Sequence, residues 1–163
     1  MIYLLDSNVL IRAHEDYYPI DRVPQFWEWI IDIAEAGHVK MPFEIHDEIA
    51  DSNGPLKDWI CSPQVKSALI LDEEAEAQLV EKDLTVGYGG PLSDSDLEKT
   101  GQDPFLVAYA LVNPRRVVVT KENPKPSAQK GNRKVPDVCD ALGVKWTRDF
   151  VLYRLLNFST ARK

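Results

Sequence analysis

Residues 2–10 read IYLLDSNVL, and this stretch decides the fold. Ile2 to Leu5 form a short apolar run of the kind that makes a buried strand. The run stops at Asp6, and Asn8 to Ala13 read as the start of a helix. Working outward, the same alternation recurs. Val23, Phe26, Trp27, Ile30, Ile33 and Ala34 fall at helical spacing, and Gly37 closes that helix. HVKM (38–41) is a second strand, and Pro42 opens a helix through Ile45, Ile49 and Ala50. Asn53-Gly54-Pro55 breaks the chain before a short helix from Leu56 to Ile60. A longer helix is predicted over Glu73–Val86, followed by a loop from Gly87 to Pro91. Ser93 and Asp96 have the spacing of a capping box. Pro104 opens an apolar helix over 105–112, and VVV (117–119) follows as a buried strand. VKW (144–146) reads as an edge strand between helices at Val135–Leu142 and Phe150–Leu156. Strands that alternate with helices imply a parallel sheet with right-handed crossovers. The expectation is a single α/β domain over residues 1–163, three layers deep, with a central and mostly parallel sheet.

The chain has 163 residues, and no apolar run approaches the ~20 needed to cross a bilayer, so no membrane role is expected. The first residues carry no basic segment and reach an acid at Asp6, which suits a strand entering a fold rather than a signal peptide. Cys61 and Cys139 stand far apart in no ligand pattern, and read as reduced packing thiols of a cytoplasmic protein. The net charge of −7 conceals an asymmetry. Residues 1–114 hold 22 acids and 7 bases, whereas residues 115–163 hold 4 acids and 12 bases. This split suggests an acidic site facing a basic, polyanion-binding surface, unless the basic residues merely gather toward the C-terminus. Arg115, Arg116, Lys121, Lys125, Lys130, Arg133 and Lys134 are the candidate phosphate contacts, against a plain solvated loop.

Ligands of an open parallel sheet bind beyond the carboxyl ends of its strands. Asp6 stands at one such end, and Thr120 and Glu122 stand just past another. Asp103 precedes the apolar helix, and Glu48 sits one turn into the helix after HVKM. Each acid has a plainer reading. Asp6 and Asp103 suit helix caps, Glu48 an exposed helix position and Glu122 a loop charge. Converging together, four carboxylates would repel one another without a cation. Hard divalent ions such as Mg²⁺ or Mn²⁺ take such oxygen-only ligands, and no His/Cys pattern here has zinc spacing. A cation held this way serves phosphodiester hydrolysis.

In order and placement these motifs resemble those of the PIN-domain nucleases. YLLDSNVLI is similar to the first acidic motif of that family, MPFEIHDEIAD to the second, GQDPFLVAYAL to the third and VVVTKEN to the fourth. The resemblance spans nearly the whole chain and implies a PIN-like fold. It implies a Mg²⁺- or Mn²⁺-dependent endoribonuclease acting on RNA, with Asp6, Glu48, Asp103 and Glu122 as metal ligands and Thr120 beside them. The sequence departs from the pattern at Glu122, where Asp or Asn is usual, and Asp137 in KVPDVCDALGV is an alternative fourth acid. The resemblance further implies a prokaryotic toxin with a small antitoxin partner, and a homodimer. Two rival functions stay open: an inactive PIN-like module that binds RNA or protein, and a metal-dependent phosphatase with an Asp nucleophile. The phosphatase normally needs a second acid at position 8, where this chain has Asn.

Overall fold

A computed structural model describes residues 1–162. In chain order the elements are β1 (Ile2–Leu5), α1 (Ser7–Arg12), α2 (Pro24–Glu35), β2 (Val39–Lys40), α3 (Phe43–Ala50), α4 (Pro55–Ile60), α5 (Pro63–Leu69), α6 (Ala77–Lys82), α7 (Asp94–Thr100), α8 (Asp103–Leu111), β3 (Arg116–Val119), α9 (Val135–Leu142), β4 (Lys145–Thr147) and α10 (Asp149–Leu155). The strands form one sheet in the order β2-β1-β3-β4, and every pairing is parallel. Successive residues of a strand point to opposite faces. Leu4 and Leu5 are both fully buried, as are Val118 and Val119, so helices cover both faces of the sheet. This is the three-layer α/β/α architecture expected of the sequence.

Three departures from expectation have local causes. The helix foreseen over Glu73–Val86 begins only at Ala77. Glu73 is drawn away because both its carboxylate oxygens accept from Nη2 of the buried Arg116, at 2.6 Å, while its carbonyl accepts the Tyr109 hydroxyl. At its other end α6 widens into a π-turn over Asp83–Gly87. Helix α5 was not foreseen, although Ser62-Pro63 is an ordinary helix opening. The segment from Lys121 to Lys134 is less free than its composition suggests, and contains a short 3₁₀ turn at Lys130–Asn132. Gly131 in that turn lies against α7, where an added Cβ would fall 2.6 Å from the Asp96 backbone.

The tryptophans pack as expected of a core, with Trp27 edge-on to Trp59 and the Trp27 indole donating to the Tyr18 carbonyl at 2.7 Å. His46 is buried and bonded to the Ile60 carbonyl, and Nδ1 of His14 accepts the Ile20 amide. Neither histidine joins the strand-end acids. Both cysteines are free thiols. Among the described residues, no helix is long and apolar enough to cross a membrane.

Leu4 touches the core from the middle of β1. Leu4→Ala is expected to cost about 2–5 kcal/mol, the usual range for a buried leucine that leaves a cavity. Urea denaturation measures this, and a loss below about 1 kcal/mol would mean that the sheet centre repacks freely.

Candidate functional site

The register of β1 on β3 builds the centre of the site. Leu5 pairs with Val119, so Asp6 and Thr120 leave the sheet side by side. The Asp6 amide continues the ladder by donating to the Val119 carbonyl. The Asp6 side chain makes no capping bond to α1. Instead its Oδ2 accepts the Thr120 hydroxyl at 2.9 Å and the Asn8 amide at 3.1 Å. Asn8 also reaches Thr120, and its carbonyl oxygen accepts the Lys121 amide. Asn8 therefore ties the two strand ends together. Its signal in the sequence was the polar pair Ser7-Asn8 directly after a strand-end acid.

Glu48 comes to the same end from α3. Its Oε2 accepts the Ser7 hydroxyl at 2.9 Å and its Oε1 accepts the Gln102 amide at 3.3 Å. Gln102 immediately precedes Asp103, the first residue of α8, so Glu48 bridges α1 to the start of α8. Asp103 is the first residue of α8, and the cap position before it is held by Gln102. The cap readings of Asp6 and Asp103 are thus both set aside by the geometry.

Electrostatics show which acids share one neighbourhood. Burial pushes the Asp6 carboxyl up to about 7, opposed by the Thr120 hydrogen bond and reinforced by the charges of Glu122 and Glu48. Asp103 is raised well above the usual carboxylate range, first by burial and then by Asp6, Glu122, Glu48 and Asp83. Among the described residues no lysine, arginine or histidine forms an ion pair with any of these five acids. The nearest candidate, Lys121, is held by Asp149 at 2.9 Å and lies over the rings of Tyr17 and Phe150.

Residues 3–160 match the model of a family described as a domain of unknown function, DUF4411. The chain belongs to the DUF4411 family. No curated protein matches the sequence.

The fourth acid of this DUF4411 chain can be judged by where its oxygens go. Glu122 bears on both Asp6 and Asp103, yet its Oε2 accepts the Val135 amide at 2.7 Å, at the first residue of α9. Asp137 turns to the loop, where its Oδ2 accepts the Lys125 amide at 2.7 Å. Asp137 is a loop anchor here, and Glu122 is the acid nearer the centre. Among the described residues, no three acidic, histidine or cysteine side chains close on one point as a ready-made ion cage.

The basic residues divide into three groups. Arg115 and Arg116 lie at the far end of β3 from Thr120, and Arg116 is buried against Glu73 and the Tyr109 carbonyl. They are not brought to the site. Lys121 and Arg133 are engaged internally, Arg133 by the carbonyls of Gly87 and Asp137. Lys125, Lys130 and Lys134 remain on the loop beside the site, and each lines a cavity there. One cavity of about 300 Å³ joins Tyr88, Gly89, Gln129, Lys130 and Arg133. A second, also about 300 Å³, opens beside Glu48 between His14, Ser52 and Asn53.

Sequence reasoning missed Asp83. It is fully buried, and burial pushes its carboxyl up to about 8. Its signal was positional, because Asp83 and Gly87 lie four residues apart on the buried side of the π-turn.

A pH prediction follows from these shifts. In the unfolded chain the same carboxyls ionise near pH 4. Folded, Asp6 and Asp83 hold their protons until about 7 and 8. Folding therefore takes up protons above pH 4, and the associated stability is lost as pH rises through the folded values. Without divalent ions, Tm should fall between pH 5.5 and 8.5. A metal-free Tm that rises over this range would contradict the buried cluster.

Proposed function

We propose that this chain is a PIN-like endoribonuclease that hydrolyses RNA phosphodiester bonds with Mg²⁺ or Mn²⁺. One observation carries the reading. Asp6, Glu48, Asp103 and Glu122 gather at the carboxyl end of β1 and β3, and among the described residues no cationic side chain is paired to any of them. A buried carboxylate such as Asp6, with Glu48, Asp103 and Glu122 half-buried around it, is costly unless it is protonated or meets a cation. The donor set is carboxylate oxygen, which fits a hard divalent ion. Asp6, Glu48 and Asp103 would hold the ion, and Glu122 would join them on leaving the Val135 amide. When bound, the ion supplies activation of the attacking water and stabilisation of negative charge on the phosphodiester.

The chain's own residues do the positioning. Thr120 and Asn8 fix Asp6 through its Oδ2, and Ser7 fixes Glu48. Lys125, Lys130 and Lys134 would take backbone phosphates and make binding salt-dependent. The two cavities beside Glu48 and Tyr88 have the size at which ligand pockets begin, and suit single nucleotide units of an unpaired strand. Asn8 stands where a phosphatase would carry its second acid, and its amide is spent on Asp6 and Thr120, which disfavours that rival. A non-cleaving RNA-binding module is the second reading. The observation in its favour is the engagement of Glu122 with α9. The resemblance to PIN toxins supports a cytoplasmic toxin–antitoxin setting, with a small antitoxin covering the site and a homodimeric toxin.

The test is cleavage of single-stranded RNA by the purified chain with Mn²⁺, set against Asp103→Asn. The cap of α8 is Gln102 and not Asp103, so the substitution leaves the opening of α8 intact. The parent should cut and the variant should show no turnover above background, with unchanged far-UV circular dichroism. A variant as fast as the parent would remove Asp103 from the site. A parent that binds RNA but does not cut it would favour the binding module.

A further inference from the structure

A second π-turn follows α1, over Ala13–Tyr17, and it carries His14. The turn is closed by the Tyr18 amide on the Ala13 carbonyl at 2.6 Å. Isolated π-turns are frequent at functional sites. Nδ1 of His14 accepts the Ile20 amide at 3.3 Å, and the ring meets Trp27 edge-on with centroids 6.3 Å apart. These two contacts fix the ring. They also fix its tautomer, because with Nδ1 accepting, the ring hydrogen sits on Nε2. Among the described residues, Nε2 has no hydrogen-bond partner.

That ring lines the cavity of about 300 Å³ beside Glu48. Ile11, Ile49 and Leu56 give the cavity apolar walls. Asn53, exposed on the turn after α3, adds an amide that can donate and accept. Apolar walls with a few placed polar groups are the make-up of a small-molecule site. Charge then narrows the ligand. Glu15 and Glu48 line the cavity, and among the described residues no lysine or arginine does. A phosphate would be repelled there. A flat, neutral heterocycle with hydrogen-bonding edges would not.

We infer that this cavity takes one unpaired nucleobase of the RNA, and that His14 reads the edge of that base through Nε2–H. This rests on the reading of the strand-end acids as a nuclease centre, and adds what selects the nucleotide. Glu48 lines the cavity and is held by Ser7 and by the Gln102 amide before Asp103, so the cavity and the centre share a side chain. Sequence-specific RNA binding commonly works in this way, with splayed bases laid against side chains and read at their edges. The base enters between α1, α3 and α4, while the lysines of the loop after β3 take the phosphates.

The test compares the parent with His14→Asn and His14→Gln on an unstructured RNA of mixed sequence with Mn²⁺, reading the base at each cut by sequencing. Asn keeps an acceptor for the Ile20 amide and lacks the Nε2 donor, whereas Gln keeps a donor there. The parent should favour one base beside the cut. His14→Asn should weaken that preference about 5-fold, the worth of one hydrogen bond, and raise KM. His14→Gln should restore part of it, and both variants should bind Mn²⁺ as the parent does. An unbiased parent, or parental preference in His14→Asn, would overturn the inference and leave the nuclease reading standing. A His14→Gln no better than His14→Asn would reduce His14 to packing and overturn it too. If His14→Asn did not fold, Asn53→Ala on the exposed turn would decide by the same loss of preference. If the parent cut no RNA, the nuclease reading would fall, and this inference would be decided by whether short RNAs bind with a base preference that His14→Asn weakens.

Discussion

The parallel pairing of β1 with β3 is the constraint on which the rest depends. Its register places Leu5 beside Val119, and the next residue of each strand is then a functional one. Leu4, Leu5, Val118 and Val119 are packed on both faces of the sheet, so a shift of one residue would force both covering layers to repack at once. The same packing sets the 2.9 Å bond from Thr120 to Asp6. Two residues 114 positions apart become neighbours because of the packing of aliphatic side chains that do no chemistry.

Around that fixed pair the acids are supported by hydroxyl and amide donors and by no cation. Ser7, Asn8, Thr120 and the Gln102 amide each donate to Asp6 or Glu48. Hydrogen bonds of this sort orient a carboxylate and partly stabilise its charge, without cancelling it. The basic residues are kept out by being used elsewhere. Arg116 secures Glu73, Lys121 secures Asp149 and Arg133 holds the π-turn to α9. The result is concentrated negative charge at one strand end, with lysines further out on the neighbouring loop.

Much of the fold was legible because aliphatic periodicity and turn residues are local signals. IYLL, HVKM, VVV and VKW all fall on the four strands, and Gly37 follows the helix it was expected to end. The beginning of α6 was not legible, since Glu73 answers to Arg116, 43 residues away. The acids were identifiable as a set, whereas the role of each oxygen was not. Asp6 and Asp103 carried ordinary cap signals that the backbone does not use, and Glu122 and Asp137 divide loop anchoring between them. Arg115 and Arg116 are close to Thr120 in sequence, but a four-residue strand rising about 3.3 Å per residue puts them at its opposite end. Asp83 was hidden because a lone acid in a polar-looking helix gives no sign of burial until that helix is packed.

The edges of the sheet have a bearing on assembly. β2 spans only Val39–Lys40, and Met41 beyond it is already bridged by Leu69 and Leu71 of the same chain. β4 is three residues long and begins with an exposed lysine. Short, covered or charged edges offer little template for a strand from another molecule. Self-association by sheet extension, whether into an orderly dimer or a fibrous aggregate, is thereby discouraged. A second copy of this chain would have to meet it through helices, where Phe150, Val151 and Leu155 of α10 leave apolar surface exposed.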